Sequence, residues 1–229
     1  IVDPSRPELV RRVDVSEYGK PNSVAVRNGV VATCVASLSR DQTGRVVFLS
    51  TSGDRLKTLE VGYEPDMLKF TPDGHWLLVA NEGEPLADYS FDAAGTISQI
   101  DMSVDVGSLR QDHVFTLGFE AWNDQRDELD GSIRIYGPNA SVAQDLEPEY
   151  IAIAPDSRTA WVVCQENNAL AIVDLEQKKV TRLTGLGFKD HRRAGNGFDA
   201  SDKDDACQIQ QWPVFGIYQP DAIACFTVG

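Results

Sequence analysis

Tyr150-Ile151-Ala152-Ile153-Ala154, then Pro155-Asp156-Ser157, then Thr159-Ala160-Trp161-Val162-Val163-Cys164: this stretch decides the fold. Its first limb alternates like a half-buried strand. Its middle is a turn, and its second limb is another apolar strand. Residues 169–174 and 179–183 supply a third and a fourth strand after short connections. Four short strands joined in chain order by short loops make an antiparallel meander.

The same grammar recurs along the chain: Pro, then an acid or amide, an apolar strand, a turn, and a second apolar strand. It begins at Pro21-Asn22, Pro65-Asp66, Pro148-Glu149 and Pro220-Asp221. The first interval is 44 residues, the length of a propeller blade, and the next two, 83 and 72, read as blades carrying long excursions. The second copy runs through 67–70, the turn Pro72-Asp73-Gly74, 76–80, 96–101 and 114–117. The first runs through 23–26, Asn28-Gly29, 30–35, 46–49 and 56–61. Asn28-Gly29 suits a type I′ hairpin, because both residues tolerate positive φ.

The expected fold is therefore all-β: a β-propeller of four-stranded antiparallel blades, with three blades and the first strand of a fourth. The blades fall at about 20–62, 63–118 and 148–186, and the next starts at 220–229. Excursions occupy 119–147 and 187–219, and one stretch, 119–129, reads as a helix stopped by Gly131. A propeller closes only when its ring is complete, typically at four to eight blades. Further residues or another chain are expected to supply the rest.

The 229 residues carry a net charge of −14. Such a field repels phosphate backbones and argues against nucleic acid. It favours cations, cationic surfaces and mineral faces, although plain solubility accounts for many single charges. No apolar run approaches the ~20 residues that cross a bilayer, so no membrane insertion is expected within this chain. No signal peptide is visible, as in a mature or trimmed secreted product. Cys34, Cys164, Cys207 and Cys225 allow three fully paired connectivities. Cys34, Cys164 and Cys225 lie in apolar strand-like runs, where a buried free thiol is the commoner state. Asn139-Ala140-Ser141 is an N-glycosylation sequon.

Aligned at their turns, the repeats superpose Asn81-Glu82 on Gln165-Glu166, with the third turn taken as one residue longer. They also superpose Asp66, Glu149 and Asp221 just before each first strand. In a meander, the start of strand one and the end of strand two share one edge of the sheet. With strand one innermost, Asp66, Glu82, Glu149, Glu166 and Asp221 converge on one mouth of the central channel. Like charges there repel unless a cation or a donor network offsets them. Calcium, a hard ion taking six to eight oxygens, is the natural candidate. Acids after proline also cap turns through their own backbone.

The excursion from Gly187 to Gln219 offers a second candidate. Asp199, Asp202 and Asp204 in Asp199-Ala200-Ser201-Asp202-Lys203-Asp204-Asp205 are spaced like a calcium loop. The loop lacks the Gly and the distal Glu of an EF-hand, and a solvated acidic loop is its default. In Lys189-Asp190-His191-Arg192-Arg193, the residues Lys189, His191 and Arg192 could meet a phosphate or carboxylate. A surface basic cluster offsetting nearby acids is the plainer account. No GxSxG is present, and His75 and His113 read as a turn residue and a strand opener.

Several segments together resemble the choice-of-anchor I family, which includes the mesenchyme-specific cell-surface glycoproteins. They are Glu64-Pro65-Asp66-Met67-Leu68, Phe70-Thr71-Pro72-Asp73-Gly74, Val79-Ala80-Asn81-Glu82-Gly83-Glu84-Pro85, Gly137-Pro138, residues 141–150 (SVAQDLEPEY), Gln165-Glu166-Asn167-Asn168-Ala169, Gly187-Phe188-Lys189-Asp190-His191 and Trp212-Pro213-Val214-Phe215-Gly216. The likeness runs from about Gly19 to the final residue, in the family's order. It implies a secreted or surface-anchored propeller of roughly twice this length. Animal members are associated with biomineralised tissue, and some relatives carry an alkaline-phosphatase label. Family members usually have an apolar or small residue where Cys207 and Cys225 stand, which leaves room for a disulfide peculiar to this chain or for two buried thiols.

The leading expectation is an extracellular or cell-surface calcium-binding module for adhesion, matrix or mineral association. The alternative is a metal-dependent phosphoester hydrolase at the same mouth, with Lys189 or Arg192 holding phosphate. A third reading is a structural propeller that displays loops to a partner.

Overall fold

The computed structural model describes residues 2–3, 6–9 and 11–228. A hairpin of β1 (Val2–Asp3) and β2 (Arg6–Leu9) comes first. The first blade comprises β3 (Lys20–Arg27), β4 (Val30–Ala36), β5 (Thr43–Ser50) and β6 (Arg55–Tyr63). The second comprises β7 (Pro65–Phe70), β8 (Trp76–Asn81), β9 (Thr96–Asp101) and β10 (Val114–Leu117). After the short α1 (Val142–Asp145), the third comprises β11 (Pro148–Ile153), β12 (Thr159–Cys164), β13 (Ala169–Asp174) and β14 (Lys179–Gly185). A last small hairpin pairs β15 (Lys189–Asp190) with β16 (Phe215–Gly216). Within each blade the strands lie in chain order and run antiparallel. This is an all-β propeller arc, and its three sheets do not close into a ring.

The apolar runs are nearly continuous because each inner strand faces a core on both sides. In β8, Leu77 and Val79 enter the core shared with blade one, beside Phe48, Val46 and Leu59. Leu78 and Ala80 enter the core shared with blade three, beside Ile151, Val162 and Ala171. The period of two divides one strand between two interfaces. Burying a Leu or Phe side chain such as Leu78 or Phe48, both fully inaccessible, contributes about 1.5–3 kcal/mol. These interfaces hold neighbouring blades together.

Each first strand carries a proline at its first or second position, which removes a ladder donor and so suits an edge strand. Each also carries a register shift one residue later. Pro21 faces Val35 while Ser23 faces Cys34, Pro65 faces Asn81 while Met67 faces Ala80, and Pro148 faces Cys164 while Tyr150 faces Val163. Asn22, Asp66 and Glu149 are therefore bulge residues, the device by which a strand re-aims one side chain. Asn28 and Gly29 have φ of 47° and 79°, as the type I′ hairpin requires.

Three expectations need correction. The helix over 119–129 is a 3₁₀ stretch, Glu120–Glu128, broken at Gln125 and with no buried residue of its own. Of this stretch only Trp122 packs against the core, too little to support an amphipathic α-helix. The strand expected after Asp221 forms no ladder among the described residues. Gln219 does repeat the left-handed backbone of Glu64 (φ 41° and 45°), and Ile223, Ala224, Cys225 and Phe226 line a cavity together with Ala152, Trp161 and Leu170 of blade three. A strand needs a hydrogen-bonded neighbour, and here it has none. For the same reason Cys225 is exposed rather than buried, whereas Cys34 and Cys164 are buried thiols. All four cysteines are free. No helix among the described residues is long and apolar enough to cross a membrane.

Candidate metal centre at the channel mouth

Because β7 and β11 both start at the same end of the arc, their bulges bring Asp66 and Glu149 together with Glu82, which follows β8. Ligand oxygens of these three carboxylates lie within 4.8 Å of one another. Among the described residues this is the only such group of three His, Cys, Asp or Glu. All three side chains are half-buried, and none makes an ion pair with Lys or Arg among the described residues.

Crowding and burial oppose ionisation here. Burial, followed by the charges of Asp66, Glu84, Glu149 and Glu166, pushes Glu82 up to about 9. Burial, then Glu166 and a hydrogen bond shared with Asp221, raises Glu149 to about 8. Asp66 is raised by burial, with Lys20 opposing and Asp221 and Glu84 adding to it. The three groups favour either protons or a cation among them.

Glu166 and Asp221 join through these fields. Glu166 acts on Glu82 and Glu149, and Asp221 acts on Asp66 and Glu149. The repeat alignment that led to Glu166 was off by one. Thr71 N donates to Trp76 O and Ala154 N to Thr159 O, so the two turns have equal length. Asn81 pairs with Pro65 as Cys164 pairs with Pro148. Gln165 is thus the counterpart of Glu82, and Glu166 stands one residue further on.

Several mouth residues escaped the repeat reading. Glu64 and Glu147 precede the prolines of strand one, and the signal was present as Glu64-Pro65-Asp66 and Glu147-Pro148-Glu149. Glu147 is only 7% exposed, and burial, then Glu166 and Glu84, lifts it to about 8. Arg40, from the loop between β4 and β5, bridges Glu64 at 3.0 Å and Glu84 at 2.6 Å. That clamp offsets two rim acids and leaves the inner three alone.

Two fully buried asparagines fix the frame. Asn167 Nδ2 donates to Arg134 O at 3.0 Å and Asp145 O at 2.5 Å, and its Oδ1 accepts from Glu147 N at 3.0 Å. Asn168 Nδ2 donates to Ser132 O and Gly187 O, and its Oδ1 accepts from Tyr218 N. Both excursions are therefore tied to the β12–β13 turn. These amides account for Gln165-Glu166-Asn167-Asn168 better than ligand binding does.

The other candidates lie elsewhere. Asp199 accepts from Ser201 N and Gln208 N, and Asp204 accepts from Ala206 N, so these acids serve their own exposed loop, which also holds Asp202. Arg192 is engaged by Asp190 at 2.8 and 2.9 Å and lies 4.7 Å from the Phe215 ring centroid. His191 Nδ1 sits 2.6 Å from Asn196 O, and Lys189 is exposed on the same hairpin. None of the three figures among the charges acting on Asp66, Glu82 or Glu149. Asn139 is exposed in a turn at φ 60°, while the Ser141 hydroxyl belongs to a capping box with Gln144.

The family model described as the choice-of-anchor I domain matches residues 1–229. No curated protein matches the chain. Among solved structures, hydrazine synthase of Kuenenia stuttgartiensis is similar at 16% identity over 76% of this chain and 45% of that one, with a TM-score of 0.48. The β-propeller domain of Myceliophteria thermophila Cps50 (Swd1) is similar at 11% identity over 71% and 42%, with a TM-score of 0.45. The β-propeller domain of the trilobed protease from Pyrococcus furiosus shares 15% over 72% and 42%, with a TM-score of 0.40. The chain spans less than half the length of each of these three.

Proposed function

The chain belongs to the choice-of-anchor I domain family, and from that premise we propose a surface-associated propeller module whose acidic mouth binds a divalent cation, calcium in the first instance. The observation that carries this reading is the meeting of Asp66, Glu82 and Glu149, from two successive blades, within 4.8 Å. Three hard carboxylate oxygens suit calcium, with waters and carbonyls free to complete its six to eight ligands. Glu166 and Asp221 form the surrounding negative field. The module acts outside the cell or at its surface, in contact with a matrix, mineral or surface partner. The hydrolase alternative finds no specific observation in its favour, since Arg192 is held by Asp190.

The two outer faces of the arc are covered by further blades, from the same protein or another chain. Val24 and Val26 of β3 are each 64% exposed, an apolar face of the kind neighbouring blades elsewhere bury.

Calorimetric titration of calcium into the metal-stripped protein tests the site. Uptake that weakens at least about tenfold in both Glu82→Gln and Glu149→Gln is expected, since each removes a charged ligand. Absence of heat, together with an unchanged melting temperature in millimolar calcium, would overturn the reading.

A further inference from the structure

We propose that a second, unrelated site lies between blades one and two at the end opposite the acidic mouth, and that it takes a small hydrophobic monocarboxylate. A cavity of about 330 Å³ opens there, walled by Val30, Leu56, Phe70 and Met102. Arg27, the last residue of β3, lines it. Arg27 makes no ion pair among the described residues. Its guanidinium donates to Pro72 O alone, and its buried Nε has no acceptor.

The turn after β7 makes room for this conformation. Gly74, at φ 81°, lies under the Arg27 side chain, and a Cβ there would collide with Nε. The turn after β7 thus admits the guanidinium through Gly74 and anchors it at the cavity wall through Pro72 O. A planar fork with unused donors matches a carboxylate, and the apolar walls match a hydrocarbon body. Asp105, exposed on the rim, is the one carboxylate among the lining residues, and it disfavours a second negative charge. The volume suits a ligand of roughly a dozen non-hydrogen atoms.

The chain's two methionines provide the test, because Met102 lines this cavity while Met67 sits in the core between blades two and three. Methyl-13C-methionine NMR of the whole chain is titrated with 4-phenylbutyrate and, separately, with 4-phenylbutanol. The Met102 methyl is expected to shift saturably with the acid while the Met67 methyl stays in place. The alcohol, and the acid on Arg27→Gln, should bind at least about tenfold more weakly. An unmoved Met102 methyl would overturn the proposal, as would equal binding of acid and alcohol. Undiminished binding to Arg27→Gln would do the same. Should that variant not fold, the acid and alcohol titrations of the native chain decide alone.

Discussion

Glu82 and Gln165 hold the same place in successive blades, each following the residue that pairs with its blade's first proline. The second blade thus presents a carboxylate where the third presents a neutral amide. With its nitrogen turned toward the acids, Gln165 donates to Glu166 Oε1 at 3.2 Å and to Glu149 Oε2 at 3.3 Å. The amide relieves part of the repulsion that a symmetric ring of acids would suffer.

Gln165→Glu converts that donor into a further repelling group. The metal-free variant should lose about 1–3 kcal/mol of stability, since a donor is lost and a charge is added in a half-buried site. In calcium the order should reverse in part, because an added carboxylate strengthens a hard-ion site. Thermal melts with chelator and with calcium check this. An equal loss in both conditions would separate Gln165 from the cation site.

The raised carboxyls set a pH dependence for the metal-free protein. Glu82 titrates near 9 and Glu149 near 8 when folded, against about 4.3 for an unperturbed Glu. Between those values the folded state holds more protons than the unfolded chain. Stability from these groups is therefore fully present below about pH 4 and is lost as pH rises through 8 to 9. Stability should fall between pH 6 and pH 9 in chelator by about 1–3 kcal/mol after screening, and the melting temperature with it. Glu82→Gln should flatten the slope, and so should calcium. A profile rising over this window would contradict the assignment.

The fold was legible because apolar strands of period two and proline-opened repeats report burial directly. Leu77 and Leu78 in β8 face different cores, so an unbroken apolar run marked a strand enclosed on both sides. The site was legible only where one unit repeats. Asp66 and Glu149 stand out through the repeated proline-acid pair that opens strand one, whereas Glu166 came from a turn counted one residue too long. Arg40 reaches the mouth from the loop of another blade, and periodicity carries no record of such a reach. The strand after Asp221 failed for a different reason: residue pattern gives the propensity for a strand, but a ladder also needs a neighbour.

Arg40 holds Glu64 and Glu84 at the rim, and its own side chain is 46% exposed. Arg40→Ala should cost only about 0.5–1 kcal/mol, as exposed pairs do. It should also deepen the negative potential of the mouth by releasing two carboxylates. Calcium affinity should therefore rise at low ionic strength, by about two- to tenfold, and return toward the native value in high salt. Weaker calcium binding would instead show that the clamp positions the ligands.

Asn167 is the test of whether the excursion before blade three belongs to the mouth. Its side chain is fully buried and ties Arg134, Asp145 and Glu147 to the β12–β13 turn by three hydrogen bonds. Asn167→Ala strands two carbonyls and one N–H in a place where water does not replace the amide, at a cost of about 2–4 kcal/mol. Asn167→Asp keeps the shape but replaces two donated bonds with a charge beside Asp145 and Glu147, and it should be worse still. Urea unfolding midpoints rank the three proteins. Because Glu147, two residues after Asp145, leads directly into Pro148 and the bulge at Glu149, loosening this frame should also weaken calcium binding. An Asn167→Ala protein that loses stability yet binds calcium like the native chain would show that the blades alone place Asp66, Glu82 and Glu149.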